Sequence, residues 1–242
     1  MNNLDNTASK NQIDTWNQWA LDFESFVLNQ QAAKPESAFD QDYFEGVWRH
    51  GAENYTLESR QKIEGKNPEL IKKVLQPKNL LDAGCGPGFL MHMLHEIGVD
   101  VVGIDASPAG LSSAPGDIKD KILLGSVLDL PFKNREFDVV LSREVLEHLT
   151  VIELSKAIAE MCRVSSRLVY VTTRFARTPK TIFDVETEFE ADPTHITCMV
   201  QPLVRTLFTM QGFRVREDLQ QSMDWLKKGR VLIYERTEKS LS

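Results

Sequence analysis

Five short apolar runs constrain this chain more than anything else in it: NLLDAG (79–84), DVVGID (100–105), KILLGS (121–126), FDVVLS (137–142) and RLVYVTT (167–173). Between them lie the helical stretches FLMHMLHEIG, SPAGLSS and VIELSKAIAEMCR. Runs this continuously apolar leave no face for water, so they predict strands of a mostly parallel sheet covered by helices on both faces. A helix over about 200–211, the segment FRVREDLQQ and a last strand RVLIYERT (230–237) complete this α/β pattern, and no internal repeat is visible. In such sheets ligands sit beyond the C-terminal ends of the strands, so the loops after these runs are where chemistry is expected.

At 242 residues the chain has room for one well-buried α/β core with a helical appendage, not for two full-size domains and a linker. From Asp14, DTWNQWALDFESFVLNQQ spaces Trp16, Trp19, Phe23 and Phe26 as an apolar helical stripe, which packs on the main domain or on a second subunit, a route to a homodimer. FDQDYFEGVWRHGAENYTLESRQKI reads as short helices and turns, and NPELIKKVL as a helix from near Pro68 to just before Pro77. We therefore divide the chain into a helical cap over 1–77 and a core over 78–242. The net charge is -7, and residues 1–60 hold ten acids against Lys10, Lys34, Arg49 and Arg60, a balance of -6. Such a chain has no overall positive field for a phosphate backbone, which makes nucleic acid an unfavoured partner. Cys85, Cys162 and Cys198 lack metal-ligand or CxxC spacing, so no metal is expected and a reducing, cytoplasmic setting fits. No run has the length of a membrane span, and the N-terminus lacks signal-peptide patterning.

The sharpest motif is Asp82-Ala83-Gly84-Cys85-Gly86-Pro87-Gly88-Phe89, directly after one apolar run and before a helix. It is GxGxG rather than GxGxxG and lacks the GxxxxGK[ST] of a P-loop, so it is not built to cradle phosphates. With VVGIDAS, GSVLDLPF and FDVVLSREVLEHL following in order, the sequence resembles the class I S-adenosylmethionine-dependent methyltransferases over about residues 78–236. Gly84 to Asp105 is 21 residues and Asp105 to Asp138 is 33, in keeping with that resemblance. It implies a Rossmann-like fold with a seven-stranded, mostly parallel sheet, an antiparallel last strand, and S-adenosylmethionine as cofactor.

The resemblance carries roles onto particular residues. Asp105 would take the ribose hydroxyls, chemistry that two carboxylate oxygens can do, with capping of the SPAGLSS helix as the alternative. Gly84, Cys85, Gly86 and Gly88 would lie under the ribose and methionine portion. Asp82 would either orient this loop or receive the ammonium. Ala106, Ser107, Ser126, Val127 and Leu130 would border the adenine. Many relatives have an aspartate where Ser126 stands, so its contact is replaced by Asp129 or weakened, and Asp129 serves equally well as a turn cap. Ser142 and Arg143 would meet the methionine end, unless Arg143 pairs with Glu147 one turn later.

A sulfonium donor needs alignment with the acceptor and, where required, removal of the acceptor's proton. Of five histidines, His92 and His95 fall on the helix after the glycine loop as surface or packing residues, and His50 sits in the aromatic segment. His148 in VLEHL and His195 in DPTHIT are the candidate bases, each with a loop-ordering alternative; Asp192 and Thr194 beside His195 can hold backbone groups. The stretch 174–198 is longer than a plain strand–helix connection and reads as a lid. Tyr43, Trp48, Tyr55 and Arg60, with His195, are the candidate acceptor wall. The function these residues favour is methyl transfer by direct displacement to an oxygen or nitrogen of a small metabolite. RNA or protein methylation is the alternative, for which a basic face from Arg163, Arg167, Arg174, Arg177 and Lys180 would speak. A non-catalytic cofactor-binding protein is the third.

Overall fold

The computed structural model describes residues 18, 36–45, 55–173, 175, 192, 194–197 and 199–237. Apart from Gln18, which is helical and exposed, the tryptophan-bearing helix expected from Asp14 therefore lies outside the described residues, as do Trp48 and most of 174–198. The strands are β1 (Leu80–Ala83), β2 (Val101–Asp105), β3 (Ile122–Leu124), β4 (Phe137–Arg143), β5 (Ser165–Thr172), β6 (Phe213–Val215) and β7 (Val231–Arg236). They form one seven-stranded sheet in the order β3-β2-β1-β4-β5-β7-β6. The pairings among β1 to β5 are parallel, while β7 runs antiparallel to both β5 and β6. This is the Rossmann-like sheet with an antiparallel last strand that the apolar runs and the resemblance implied.

Burial follows the strand sequences. All four residues of β1 and Phe137–Ser142 of β4 are buried. Alternate residues go to opposite layers: Val140 and Val169 join one cluster with Ile158 and Phe208, while Leu141 and Tyr170 join the other with Met91 and Leu94. The edge strand β3 departs from the double-sided burial expected of every run. It has a neighbour on one side only, and Leu123 and Leu124 are 38% and 59% exposed.

Helices α1 (Gln41–Glu45), α2 (Leu57–Glu64) and α3 (Asn67–Leu70) precede the sheet. The helix expected to run to Pro77 is α-helical only in α3; Ile71–Leu75 continues as a π turn and stops at Gln76, which takes left-handed angles. The ring of Pro77 disfavours right-handed helical angles at the residue before it. Within the core come α4 (Phe89–Glu96), α5 (Pro108–Ser112), α6 (Val151–Val164), α7 (Gln201–Met210) and α8 (Glu217–Met223). Thr150 and Glu153 form a capping box that starts α6, whose inner face buries Leu154, Ile158 and Met161. The cap of α5 is Ser107, whose hydroxyl accepts from Gly110 N at 3.0 Å, and not Asp105, the alternative considered from sequence.

Between β1 and β4 the strand order reverses: the connection after β1 leads toward β2, whereas that after β4 leads toward β5. The diverging loops open a crevice there, the site of ligand binding in open α/β sheets. Helix α1 packs on α5 and α2 packs on α4, so the segment before the sheet roofs this crevice.

Candidate functional site

The glycine turn lies at the mouth of that crevice. Gly84 has φ +84°, and a Cβ there would sit 2.4 Å from Val145 Cγ2. Both facts require glycine: the backbone angle suits no side chain well, and there is no volume for one. Gly84→Ala is expected to cost about 2 kcal/mol by chemical denaturation. A loss below roughly 0.5 kcal/mol would show that Val145 yields freely.

A cavity of about 820 Å³ opens above the strand ends. Its wall includes Asp105 after β2, Gly84 and Gly86 after β1, Arg143 on β4, Thr172 on β5 and Val231 on β7. These are five adjacent strands, so the cavity reaches roughly 19 Å across the sheet at about 4.8 Å per strand. Ala106, Ser126 and Val127 also line it, at the β2 end.

Asp105 spans the glycine turn. Gly86 N donates to its Oδ2 at 2.7 Å and Ser107 N to its Oδ1 at 2.9 Å. Burial raises its carboxyl above the usual range, opposed by those two N–H groups. Asp82 at the end of β1 is buried with no side-chain hydrogen bond among the described residues, and burial pushes its pKa up to about 7. A carboxyl held half-protonated behind the turn is a group waiting for a cation.

Arg143 pairs with Glu64 of α2 rather than with Glu147, the alternative weighed from sequence. Glu64 also takes Arg60 at 2.6 Å and the Asn67 amide at 2.9 Å. Burial alone would raise the Glu64 pKa, but Arg143 and Arg60 outweigh it and hold the carboxylate ionised. Two guanidinium groups that line the cavity thus share one carboxylate, and the buried Nε of Arg143 has no partner among the described residues. The surplus positive charge and the unused donor suit a ligand carboxylate. Arg60 also lies over the Tyr55 ring at 4.8 Å.

Other candidates from sequence stand off the cavity wall. Leu130 is not at a ring face: it is buried in the core beneath α6, and Leu128 takes the cavity position. Ser126 Oγ accepts from Leu128 N at 3.2 Å. Cys85 packs into the second core cluster, Gly88 starts α4 against Ile118 and Ile122, Ser107 caps α5, and Ser142 is wholly buried within β4. Asp129 is off the wall too, within electrostatic reach of Arg163.

At the β4–β5 side an aromatic and histidine cluster closes the space. Tyr43, Tyr55, Arg60, His148 and His195 all line the cavity, joined by Phe39, Phe44 and Asp192. His148 and His195 lie ring to ring at 4.8 Å, with Phe39 edge-on to His148 at 5.3 Å. The segment carrying His195 is fastened to the turn after β4: Ile196 N and Thr197 N donate to Glu147 O, and Thr197 Oγ1 donates to Leu149 O. Glu147 is fully buried and receives the Thr173 hydroxyl at 2.8 Å; burial and then the Glu144 carboxylate push its carboxyl well above the usual range. His92, by contrast, pairs with Asp117 at 2.8 Å and takes no part in the cavity wall. No group of three or more His, Cys, Asp or Glu among the described residues is arranged to hold a metal.

The far wall, Trp225, Lys228 and Arg230 between α8 and β7, carries no motif and was missed from sequence. Glu64 was missed as well, though its position four residues after Arg60 is a readable helical pair. The basic residues considered for a polyanion are otherwise engaged: Arg163 with Glu160 and Arg167 with Asp138. Arg174, Arg177 and Lys180 lie outside the described residues.

Comparison with known proteins agrees with this geometry. Residues 81–168 match the family described as "Methyltransferase domain". Norajmaline N-methyltransferase of Rauvolfia serpentina is 38% identical over 99 residues, 38% of this chain and 33% of that protein. A ubiquinone biosynthesis O-methyltransferase of Mesorhizobium japonicum is 34% identical over 95 residues, 37% of this chain and 38% of that protein. The chain thus spans little more than a third of the length of these relatives. The structure of magnesium protoporphyrin IX methyltransferase from Synechocystis with bound S-adenosylmethionine covers 85% of this chain and 99% of its own at a TM-score of 0.57 and 18% identity, a likeness of fold. The family match over residues 81–168, the sheet order and the glycine turn at its switch point agree, and over that stretch the chain is similar to methyltransferase domains.

Proposed function

We propose that this chain binds S-adenosylmethionine across the β2–β1–β4 part of the cavity and catalyses transfer of its methyl group to an oxygen or nitrogen of a small molecule held on the β5–β7 side. The observation that carries this reading is Asp105 lying across the glycine turn at the switch point, with lone pairs left for a diol. The fit extends along the cavity: the guanidinium groups of Arg143 and Arg60 suit a carboxylate, while Asp82, off the cavity wall and buried behind the glycine turn, favours an ammonium through its charge rather than by direct contact. When bound, the cofactor supplies an electrophilic methyl group; the protein's part is to align the acceptor, exclude water and handle the acceptor's proton. We assign residues 1–77 to a cap for acceptor closure, of which 18, 36–45 and 55–77 are described, and 78–242 to the methyltransferase core, with 174–198 as its lid. No described helix is long and apolar enough to cross a membrane; the cytoplasmic setting is proposed from the cysteine spacing alone, which lays out no disulfide framework.

Calorimetric titration with S-adenosylhomocysteine tests the cofactor reading. Asp105→Ala is expected to weaken binding about 10- to 100-fold, with Asp105→Asn separating loss of charge from loss of shape. Unchanged affinity would sink the ribose assignment. Methyl-labelled S-adenosylmethionine offered with a metabolite extract then identifies the acceptor. Binding without transfer to any acceptor would favour the non-catalytic alternative, and label in RNA or protein the macromolecular one.

A further inference from the structure

Three groups at the acceptor end form a directional hydrogen-bond chain that the methyl-transfer reading does not require. Thr194 Oγ1 lies 2.6 Å from Asp192 Oδ1, and Thr194 N donates to the same oxygen at 2.9 Å. The Tyr43 hydroxyl donates to Asp192 Oδ2 at 3.4 Å. A carboxylate receiving these donors only accepts, so the single proton of the Thr194 hydroxyl is committed to Asp192. The other contact of Thr194 Oγ1, 2.9 Å from His148 Nδ1, must then be one it accepts. The backbone carbonyl of Thr194, an acceptor by nature, lies 3.3 Å from the same nitrogen. Two acceptors converge on Nδ1, which therefore carries the ring proton.

We propose that Asp192, acting through Thr194, fixes His148 as the Nδ1–H tautomer, so that its Nε2 lone pair receives the proton of a hydroxyl acceptor in the cavity. His195 is less suited to that task. Its Nε2 faces Asp192 Oδ2 at 3.5 Å and its Nδ1 is buried, which makes it a positioning residue packed on the His148 ring. Burial lowers the His148 pKa, outweighing Asp192, the Thr194 carbonyl and both the carboxylate and backbone of Glu144, which raise it. The ring is thereby neutral near pH 7, as a base must be. The acceptor class is chosen by where a base helps most: a neutral amine attacks through its own lone pair, whereas a hydroxyl, which keeps its proton near pH 7, gains from losing it as the bond forms. Phe39, Tyr43 and Tyr55 on the same wall suit a hydroxyl carried by an aromatic ring. In the balanced step the acceptor O–H proton passes to Nε2, the freed oxygen pair forms the O–CH₃ bond, and the C–S pair remains on sulfur.

This inference rests on the methyltransferase reading for its purpose but not for its test. In the ligand-free full chain labelled with ¹⁵N-histidine, long-range ¹H–¹⁵N correlations at pH 8 should show His148 with a protonated Nδ1 and a bare Nε2, assigned by its loss in His148→Gln. Thr194→Val should shift the ring toward the Nε2–H form, and Thr194→Ser should restore the wild-type pattern. Asp192→Asn should move the His148 titration midpoint down by about one pH unit. An Nε2–H ring in the wild type overturns the proposal, as does a pattern indifferent to Thr194→Val in a variant whose near-ultraviolet circular dichroism is native. Transfer to nitrogen in place of oxygen, read from the methyl carbon shift of the labelled product, overturns the acceptor class. Failure to bind S-adenosylhomocysteine would instead sink the methyltransferase reading and leave the tautomer result standing.

Discussion

Glu64→Ala should lower the unfolding free energy by about 3–5 kcal/mol, the cost of leaving a buried guanidinium without its counter-charge. Arg143 is the group stranded: its ion pair is with Glu64, and its Nε already lacks a partner among the described residues. Arg60 and the Asn67 amide lose the same acceptor, so the packing of α2 against the strand ends loosens together with the ion pair. Glu64→Gln, which keeps an acceptor oxygen but no charge, should lose less. Urea unfolding of both variants measures this. A loss below about 1 kcal/mol for alanine would mean that water reaches Arg143 as at a surface pair. The pair also bears on the proposed ligand: a carboxylate arriving at Arg143 competes with Glu64, so any variant that stays folded should bind S-adenosylhomocysteine at least as tightly as the wild type.

The second large effect is a pH dependence located at Asp82. Its pKa is pushed up to about 7 in the folded chain from an ordinary 3.8, because burial disfavours the charged form more than Arg143 and Arg60 favour it. Glu64 and Asp105 push in the same direction as burial. The folded state therefore holds a proton that the unfolded chain has lost between those two values, and the stability contributed by protonated Asp82 falls as pH rises from about 4 to about 7. At about 1.4 kcal/mol per pH unit the full effect is on the order of 4 kcal/mol. Asp82→Asn should match the wild type near pH 4 and exceed it by that order at pH 8. Equal stability at both pH values would show that Asp82 is ionised without penalty. A ligand ammonium near Asp82 reverses the preference, so S-adenosylhomocysteine binding should release a proton and tighten as pH rises through 7. In Asp82→Asn that pH dependence should vanish.

The elements most legible in the sequence are those whose signal is local. Continuous apolarity marks β1, β4 and β5, and the Thr150–Glu153 spacing marks the start of α6, because strand burial and helix capping act within a few residues. The glycine turn and Asp105 were legible for the same reason: backbone angle and volume at Gly84 are encoded by the residue itself. The Glu64–Arg143 pair was not, since 79 positions separate its members and each also has a nearer candidate partner in sequence. Leu128 and Leu130 are chemically alike, and only the turn between them decides which faces the cavity and which the core. Trp225 and Lys228 reach the cavity because β7 inserts between β5 and β6, a matter of topology that no spacing near them announces. In the acceptor cluster Asp192 and Thr194 were legible as loop-ordering residues; that their order extends to the His148 ring depends on a contact across 46 positions.

The breadth of the cavity across five strands bears on how such a chain diversifies. The segment matched by the methyltransferase family, 81–168, supplies the glycine turn, Asp105, Ser126, Arg143 and His148. Tyr43, Tyr55, Asp192, His195, Trp225 and Lys228 come from outside it, from the flanks on either side. Under the proposed function the donor side of the cavity falls within the matched segment, whereas most of the acceptor wall, His148 apart, falls on the flanks, which can be rewritten while the donor half stays fixed. A likeness confined to the matched segment therefore carries no information about the molecule that this chain's own flanks select.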